Sequence, residues 1–309
     1  MVFRVVFAGT PEFALPTFEA LRKAHDVIAI LTQPDRPKGR GQTKQPTPVA
    51  RSARRAGFNV LTPTSLDDPD IIAALRELNP DFIVVAAYGL LFPETWLHLP
   101  NQCILNVHPS LLPRWRGASP IEYSLLTGDS ETGISIQALV KRLDAGPVFL
   151  QMRTAIAKQE SKSSLEARLA VLGGEALLAV LSEWTKIKPS QQDESRATYA
   201  PKITPQDTRI RWSSSAIAIE RQIRALQEHP GAWTCLGDRR IKILGAHVLP
   251  IFDLAIPGAV TSLQATGDLR VATGHGTLAI DRLQSEGARP LTAREWLRGM
   301  HTISGIRLT

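Results

Sequence analysis

Short apolar runs alternate with amphipathic stretches over the first 185 residues of the chain. Four of these runs are bounded by Gly, Pro or polar residues and predict buried strands at 2–8, 27–31, 82–87 and 103–107. Apolar residues at helical spacing predict helices at 12–23, 49–56, 69–78, 121–126 and 163–186. This alternation is typical of the α/β class, so we expect a mostly parallel, Rossmann-like sheet with helices on both faces.

The pattern changes after residue 188. Residues 189–205 contain three prolines and little apolar periodicity, which predicts a linker. A helix is then predicted at 216–227, followed by short strands between Gly-rich turns at 233–236, 240–248, 258–261, 269–272 and 277–283. Such a set suits a small OB-like β-barrel. We therefore expect a larger, catalytic domain at 1–188, a linker at 189–205 and an OB-like domain at 206–309.

Composition limits the classes of protein that are possible. A chain of 309 residues is long for a single core, which favours two domains. Its apolar runs are shorter than the roughly eighteen residues of a membrane span, so no membrane partner is expected. The first ten residues end in a turn too early for a signal peptide. The two cysteines, Cys103 and Cys235, lie far apart and predict neither a disulfide framework nor a zinc site. A reducing, cytoplasmic setting is expected.

The net charge of +7 is unevenly distributed along the chain. Residues 36–55 contain seven basic side chains and no acidic one. Such a run is either a solvated loop and helix face or an arm that contacts phosphates. The predicted second domain, 206–309, carries 13 basic and 9 acidic residues and is therefore also basic.

The candidate chemistry begins in the stretch at 106–117, which follows the predicted strand at 103–107. Side chains alternate along a strand, so Asn106 and His108 point the same way at its carboxyl end, where open α/β sheets bind ligands. Asn can stabilise an oxyanion and His can move a proton near neutral pH. Taken alone, Asn106 could instead be a turn residue and His108 a core histidine.

A carboxylate strengthens the catalytic interpretation. Asp144 follows a further strand-like run at 133–140, and strands adjacent in sequence are often adjacent in space. Asp144 could merely order its own turn, but beside His108 it would orient the imidazole. No serine or cysteine nucleophile accompanies the trio, because Ser110 lacks the GxSxG context and Cys103 belongs to the strand. No P-loop or metal-binding motif is present, so we expect direct transfer between two bound substrates and no metal.

These residues resemble those of the folate-dependent formyltransferases, which share the Asn-x-His motif, the Ser-Leu-Leu-Pro loop and a later Asp. Pro109 stands where a Gly is often found in that family, and the trio is intact. The resemblance implies 10-formyltetrahydrofolate as the formyl donor. It implies a donor cleft lined by Ser110, Leu111, Leu112 and Pro113, with the loop of Tyr88, Gly89 and Leu90.

Segments elsewhere in the chain resemble the branch of that family that acts on initiator methionyl-tRNA. They are 7–13, 33–41, 106–120, 199–203 and 230–234. The implied acceptor is the α-amino group of methionine on that tRNA, the basic run becomes an arm for its acceptor stem, and the OB-like domain becomes a tRNA-binding domain. The arm contacts are expected from Arg36, Lys38, Arg40 and Lys44.

Other interpretations remain open at this point. The same folate site could serve a nucleotide sugar, another small amine or water, although a small acceptor gives no reason for a basic second domain. A non-enzymatic RNA-binding protein with an idle pocket is a further alternative, which the intact trio disfavours. Arg114 and Arg116 could be solvated loop charges, and Trp115 and Trp233 are expected to be packing anchors. We expect a monomer.

Overall fold

The computed structural model describes residues 1–38, 43–227, 229–251, 255–261, 268–300 and 305–309. Contacts divide the chain into two compact units. Unit 1 consists of Met1–Pro120, Glu131–Ala155 and Glu166–Ala200, and unit 2 consists of Ile121–Ser130, Ile156–Leu165 and Pro201–Thr309. The last part of unit 2 thus begins inside the segment predicted as a linker, and residues 189–200 belong to unit 1.

The strands of unit 1 are, in chain order, β1 (Arg4–Gly9), β2 (Asp26–Leu31), β3 (Arg36–Lys38), β4 (Thr43–Gln45), β5 (Val60–Leu61), β6 (Phe82–Ala86), β7 (Cys103–His108), β8 (Glu131–Ala138) and β9 (Val148–Ala155). The helices of residues 1–185 are α1 (Leu15–Ala24), α2 (Pro48–Arg55), α3 (Pro69–Leu78), α4 (Pro120–Thr127) and α5 (Lys162–Ser182), of which α4 and the first turn of α5 lie mostly in unit 2. The predicted elements therefore occur, with bounds that shift by a few residues.

Seven of these strands form one sheet in the order β5-β2-β1-β6-β7-β8-β9. The pairs from β5 to β7 are parallel, whereas β8 runs antiparallel to both β7 and β9. The predicted mostly parallel sheet is confirmed, with an antiparallel edge in addition. The strands β3 and β4 form a separate antiparallel hairpin.

Local sequence explains where α2 and α3 begin. Thr47 accepts a hydrogen bond from the backbone N–H of Ala50, and the Asp68 carboxylate accepts one from Asp70. Each cap is followed by a proline, whose missing N–H costs nothing at the first helical position. At its other end, α3 stops at Asn79, which adopts a left-handed conformation with φ 45°.

Alternating side chains of β1 pack against helices on both faces of the sheet. Val6 and Ala8 join an apolar cluster with Leu75 of α3. Phe7 faces the other way and stacks on Phe18 of α1, with ring centroids 5.6 Å apart. Burial of these apolar side chains is the main contribution to the stability of the sheet. The helices cover the two faces of the sheet, and the carboxyl ends of the strands are followed by loops.

Unit 2 contains the antiparallel, strand-rich domain that was predicted at 206–309. Its elements are α6 (Ala216–Leu226), β10 (Ala232–Leu236), β11 (Arg239–Leu249), β12 (Leu269–Ala272), β13 (Thr277–Ser285), β14 (Leu291–Thr292) and α7 (Ala293–Arg298). The sheet order is β10-β11-β13-β12, with β14 paired to β13. The run predicted as a strand at 258–261 forms only isolated bridges, through Ala259 and Val260. A cluster that includes Trp212, Ile243 and Trp296 fills the core.

Candidate active site

Asn106 and His108 lie at the carboxyl end of β7 and share one face of the strand. His108 is 3% exposed, and Asn106 is partly buried. The antiparallel pairing with β8 places Gln137 opposite Asn106 and Ser135 opposite His108. The neighbouring strand therefore supplies polar side chains to the same edge of the sheet.

Asp144 reaches both side chains from the loop between β8 and β9. Its Oδ1 lies 3.5 Å from Asn106 Nδ2 and 3.7 Å from His108 Nδ1. Asp144 is 7% exposed and adopts a left-handed backbone conformation with φ 48°, which is costly for a residue with a side chain. The structure thus brings the three expected residues together within unit 1.

Two further donors fix the Asp144 carboxylate. Gln137 Nε2 donates to Oδ1 over 2.9 Å, and the backbone N–H of Gly117 donates to Oδ2 over 2.8 Å. Gln137 was not among the residues expected from the sequence. Its role depends on the register of β8 against β7, and no local motif encodes that register.

The second nitrogen of the His108 ring is bound to the loop after β7 (109–117). His108 Nε2 lies 2.9 Å from the carbonyl oxygen of Trp115. A carbonyl oxygen only accepts, so Nε2 carries a proton in this bond. The bond orients the ring, and Nδ1 is the nitrogen that faces Asp144. Trp115 itself is buried and has φ 60°.

Side chains of β8 and β9 form hydrogen bonds with the backbone of the Ser-Leu-Leu-Pro loop. Ser110 is fully buried, and its hydroxyl donates to the carbonyl of Arg114 over 2.6 Å. Ser135 Oγ donates to the Ser110 carbonyl and accepts from the N–H of Leu112. Leu111 and Pro113 are the half-buried members of the loop. Of the four donor-site residues expected in this loop, these two have surface left for a ligand, whereas Ser110 and Leu112 support the loop.

The loop after β6 also contains both buried and exposed residues. Tyr88 is 1% exposed, its ring belongs to the apolar cluster of β1 and α3, and burial raises the pKa of its hydroxyl to about 12. Its carbonyl accepts a hydrogen bond from the Thr10 hydroxyl. Gly89, with φ 91°, turns the chain outward, and Leu90 and Leu91 are 38% and 75% exposed. The ring of Tyr88 is therefore a core group, and the exposed surface of this loop comes from the residues that follow it.

A second exposed apolar pair lies on the loop after β8. Val140 and Leu143 are 40% and 48% exposed. An ion pair of 3.0 Å between Lys141 Nζ and Glu94 Oε2 joins this loop to the segment that follows the β6 loop. Exposed apolar side chains grouped at one edge of a sheet are typical of a ligand cleft.

The basic run forms the β3–β4 hairpin and helix α2. Arg36 and Lys44 are exposed, and Arg36 Nη2 donates to Gln33 Oε1 over 3.1 Å. Lys38 ends β3. Arg40 lies outside the described residues. The structure therefore places two of the four expected tRNA-contacting side chains on the surface of a hairpin.

Other groups bear on the chemistry that is available. Burial raises the pKa of the Cys103 thiol to about 12. Among the residues that the structure describes, no cluster of three or more His, Cys, Asp or Glu side chains could hold a metal ion. In the same part of the chain, no helix combines the length and apolar character needed to cross a bilayer.

Two family models match the chain. The model described as "Formyl transferase" matches residues 3–181, and "Formyl transferase, C-terminal domain" matches residues 202–301. Methionyl-tRNA formyltransferases from Jannaschia sp. (strain CCS1) and Thiobacillus denitrificans are 39% and 41% identical to this chain, each over 99% of both sequences. The enzyme of the same name from Gluconobacter oxydans is 42% identical, again over 99% of both.

Solved structures share the fold at lower identity. An N-formyltransferase from Helicobacter canadensis, in complex with folinic acid and dTDP-3-aminofucose, has a TM-score of 0.69 and 15% identity over 91% of this chain and 99% of its own. HypX from Aquifex aeolicus in complex with tetrahydrofolic acid has a TM-score of 0.66 and 17% identity over 96% of this chain and 47% of its own. Identity near 40% over the whole length and two matching family models lead to one conclusion: this chain belongs to the methionyl-tRNA formyltransferase family.

Proposed function

We propose that this chain transfers the formyl group of 10-formyltetrahydrofolate to the α-amino group of methionine on initiator methionyl-tRNA. The observation that carries the proposal is the convergence of Asn106, His108 and Asp144 at the carboxyl end of β7. Relatives of the whole chain carry the name methionyl-tRNA formyltransferase, which supports the choice of acceptor.

The three side chains suit a direct acyl transfer. The neutral amine attacks the formyl carbon, a C–N bond forms, and the carbonyl oxygen becomes an oxyanion. Asn106 Nδ2 donates to that oxyanion, since its contact of 3.5 Å with Asp144 occupies at most one of the two amide hydrogens. The bond from the formyl carbon to the folate nitrogen then breaks. The proton lost by the amine passes through His108 Nδ1, beside Asp144, to the departing nitrogen.

The side chains that could have served as nucleophiles support a mechanism without a covalent enzyme intermediate. The Ser110 hydroxyl is buried and donates to the Arg114 carbonyl. The raised pKa of the Cys103 thiol, about 12, keeps it protonated near neutral pH. Neither group is an activated nucleophile, so the amine itself is the attacking group.

The exposed apolar residues fit the flat ring system of a folate. Leu90 and Leu91 on one loop, and Val140 and Leu143 on another, offer apolar surface at the edge of the sheet that carries the trio. Leu111 and Pro113 of the Ser-Leu-Leu-Pro loop complete the proposed donor cleft. Tyr88 and Gly89 contribute through the backbone of their loop, because the Tyr88 ring is buried.

The proposed acceptor accounts for the positive charge. Arg36, Lys38, Arg40 and Lys44 of the basic run are proposed to contact tRNA phosphates, and the basic residues 206–309 are proposed to form a tRNA-binding domain. We propose that residues 1–188 supply the catalytic residues and that 189–205 leads to the second domain, with 189–200 packed in unit 1. We expect a monomer, because one chain supplies the whole trio. We expect a cytoplasmic location, because the tRNA acceptor takes part in translation.

An acceptor panel tests the proposal. Purified protein is incubated with 10-formyltetrahydrofolate and, in parallel, initiator Met-tRNA, free methionine or an amino-sugar nucleotide, and release of tetrahydrofolate is followed. Transfer to Met-tRNA alone is the expected result. Transfer only to a small amine would show that the acceptor is not Met-tRNA. Binding of tRNA without any release of tetrahydrofolate would show that the protein is an RNA-binding protein and not this enzyme.

A further inference from the structure

Arg116 is fully buried at the end of the loop after β7, and is therefore not the solvated loop charge that was one interpretation of the sequence. Its Nε and Nη2 donate to Gln192 Oε1 over 3.0 and 2.8 Å. Its Nη1 and Nη2 donate to the Glu194 carboxylate over 3.1 and 2.8 Å. A buried guanidinium is stable only with such partners, so Arg116 holds the segment of Gln192 and Glu194 in place.

The orientation of the Gln192 amide follows from this contact. A guanidinium can only donate, so the carbonyl oxygen of the amide faces Arg116 and the NH₂ group faces away. That NH₂ group lies 2.8 Å from the carbonyl oxygen of Asp144 and 2.7 Å from that of Gly146. Gln192 therefore connects the loop after β7, through Arg116, to the backbone of the Asp144 loop.

Glu194 makes a parallel connection. Its carboxylate binds Arg116 of the first loop and Arg142 of the Asp144 loop. These hydrogen bonds, with that from Arg116 the stronger, lower the pKa of Glu194 to about 2. The carboxylate is therefore ionised at neutral pH, and the segment links the loop after β7 to the Asp144 loop at two positions, 192 and 194.

Thr198, farther along the same segment, supports residues of the loop after β7. The Trp115 N–H donates to Thr198 Oγ1 over 3.0 Å, and the Arg116 N–H donates to the Thr198 carbonyl over 2.9 Å. Trp115 supplies the carbonyl that binds His108 Nε2. Both Trp115 and Asp144 have positive φ, a conformation that persists only where neighbours hold it.

We propose that Gln192 is a positioning residue for formyl transfer: through its bonds to Arg116 and to the carbonyls of Asp144 and Gly146, it sets the place of Asp144 relative to His108. The inference rests on the proposed function. It predicts a defect in turnover with little change in substrate binding, because Gln192 touches the loops and is not part of the proposed donor cleft or tRNA arm.

The test compares Gln192→Glu with Gln191→Glu, which makes the same charge change at the exposed neighbouring position. A carboxylate at 192 can still accept from Arg116 but cannot donate to the two carbonyls. Displacement of a catalytic group can cost about 100-fold in rate, so kcat should fall about 10- to 100-fold in Gln192→Glu, with KM for Met-tRNA and for 10-formyltetrahydrofolate within about threefold. Gln191→Glu should match the wild type.

A second variant, which adds no charge, and a double mutant distinguish a loss of positioning from a loss of stability. Gln192→Met, of similar length and without charge, should show the same loss of kcat in protein that thermal unfolding shows to be folded. Adding Gln192→Glu to Asp144→Asn should cost little further, because both act through one group. Wild-type turnover in either folded single variant, or fully additive losses in the double mutant, would overturn the inference. Absence of transfer by the wild type would instead refute the proposed function.

Discussion

His108 and Asp144 of the proposed trio are each oriented by atoms outside it, and Asn106 contacts Asp144 within it. Trp115 orients the His108 ring, and Gln137 and Gly117 orient the Asp144 carboxylate. Asn106 keeps at least one amide hydrogen for a ligand. Such preorganised donors lower the barrier of a reaction because they need not rearrange as charge develops.

Replacing Asn106 by Ala should remove the proposed oxyanion donor. Loss of such a donor costs about 10²- to 10³-fold in kcat, with the fold intact. Single-turnover formylation of Met-tRNA measures the effect, and circular dichroism confirms the fold. A loss of about tenfold or less would exclude Asn106 from that role.

Glu194 should contribute to the acid stability of the protein. Its pKa in the folded state is about 2, below the ordinary value of 4.5, mainly because Arg116 donates to it. A lowered pKa in the folded state stabilises the fold above pH 4.5, and this stabilisation is lost as the pH falls toward 2. In Glu194→Gln, the free energy of unfolding should therefore decline less between these pH values than in the wild type.

Urea unfolding at a series of pH values measures this difference. Glu77→Gln, which removes an exposed carboxylate from α3, is the control. Parallel curves for Glu194→Gln and the wild type across this range would contradict the ion pair with Arg116.

At the scale of elements, the site depends on how closely β8 and β9 support the Ser-Leu-Leu-Pro loop. Gly133 of β8 lies where an added Cβ would be 2.1 Å from the Met152 carbonyl oxygen and 2.7 Å from Leu111 Cδ2. The strand can therefore carry the loop only because this position has no side chain. The constraint is one of packing, since interiors leave little free space.

Gly133→Ala should thus destabilise the protein by roughly 1–3 kcal/mol, as overpacking does, and should lower turnover because Leu111 must move. Gly245→Ala in β11 is the matched control, since its added Cβ would meet nothing closer than 3.7 Å. The free energy of unfolding and kcat are measured for both variants. Equal stability of the two would contradict the close approach of β9 and the loop.

At the scale of the whole molecule, positive charge occurs in both units. The hairpin of unit 1 carries exposed Arg36 and Lys44, and the chain has a net charge of +7. Binding of tRNA to such a surface releases condensed counterions, so affinity falls steeply as salt is added. A small acceptor would show a much weaker dependence.

Lys44→Ala should raise KM for Met-tRNA and lower the slope of log KM against log salt by about one, as expected for one lost phosphate contact. KM for 10-formyltetrahydrofolate should stay unchanged. Lys23→Ala removes an equal exposed charge from α1 and should keep the wild-type slope. An unchanged slope in Lys44→Ala would show that Lys44 of the hairpin does not contact tRNA.

The sequence by itself determined the main helices and strands and the identity of the proposed catalytic trio. Apolar periodicity located β6, β7 and α3 because strand and helix spacing are local properties of the chain. The shared direction of Asn106 and His108 followed from the alternation of side chains along one strand. The basic run was evident from its charge, but the pairing of β3 with β4 was not, because these short strands lack an apolar pattern.

Only the tertiary structure decided what holds the site together. Gln137 meets Asp144 through the register of two antiparallel strands, and Arg116 meets Gln192 across 76 positions of sequence. The segment predicted as a linker supplies Gln192, since a polar, Pro-containing pattern describes its lack of a regular element and not its hydrogen bonds. Contacts between residues distant in sequence depend on how the chain packs. The identity of the proposed catalytic groups was therefore readable from the sequence, and their positioning was not.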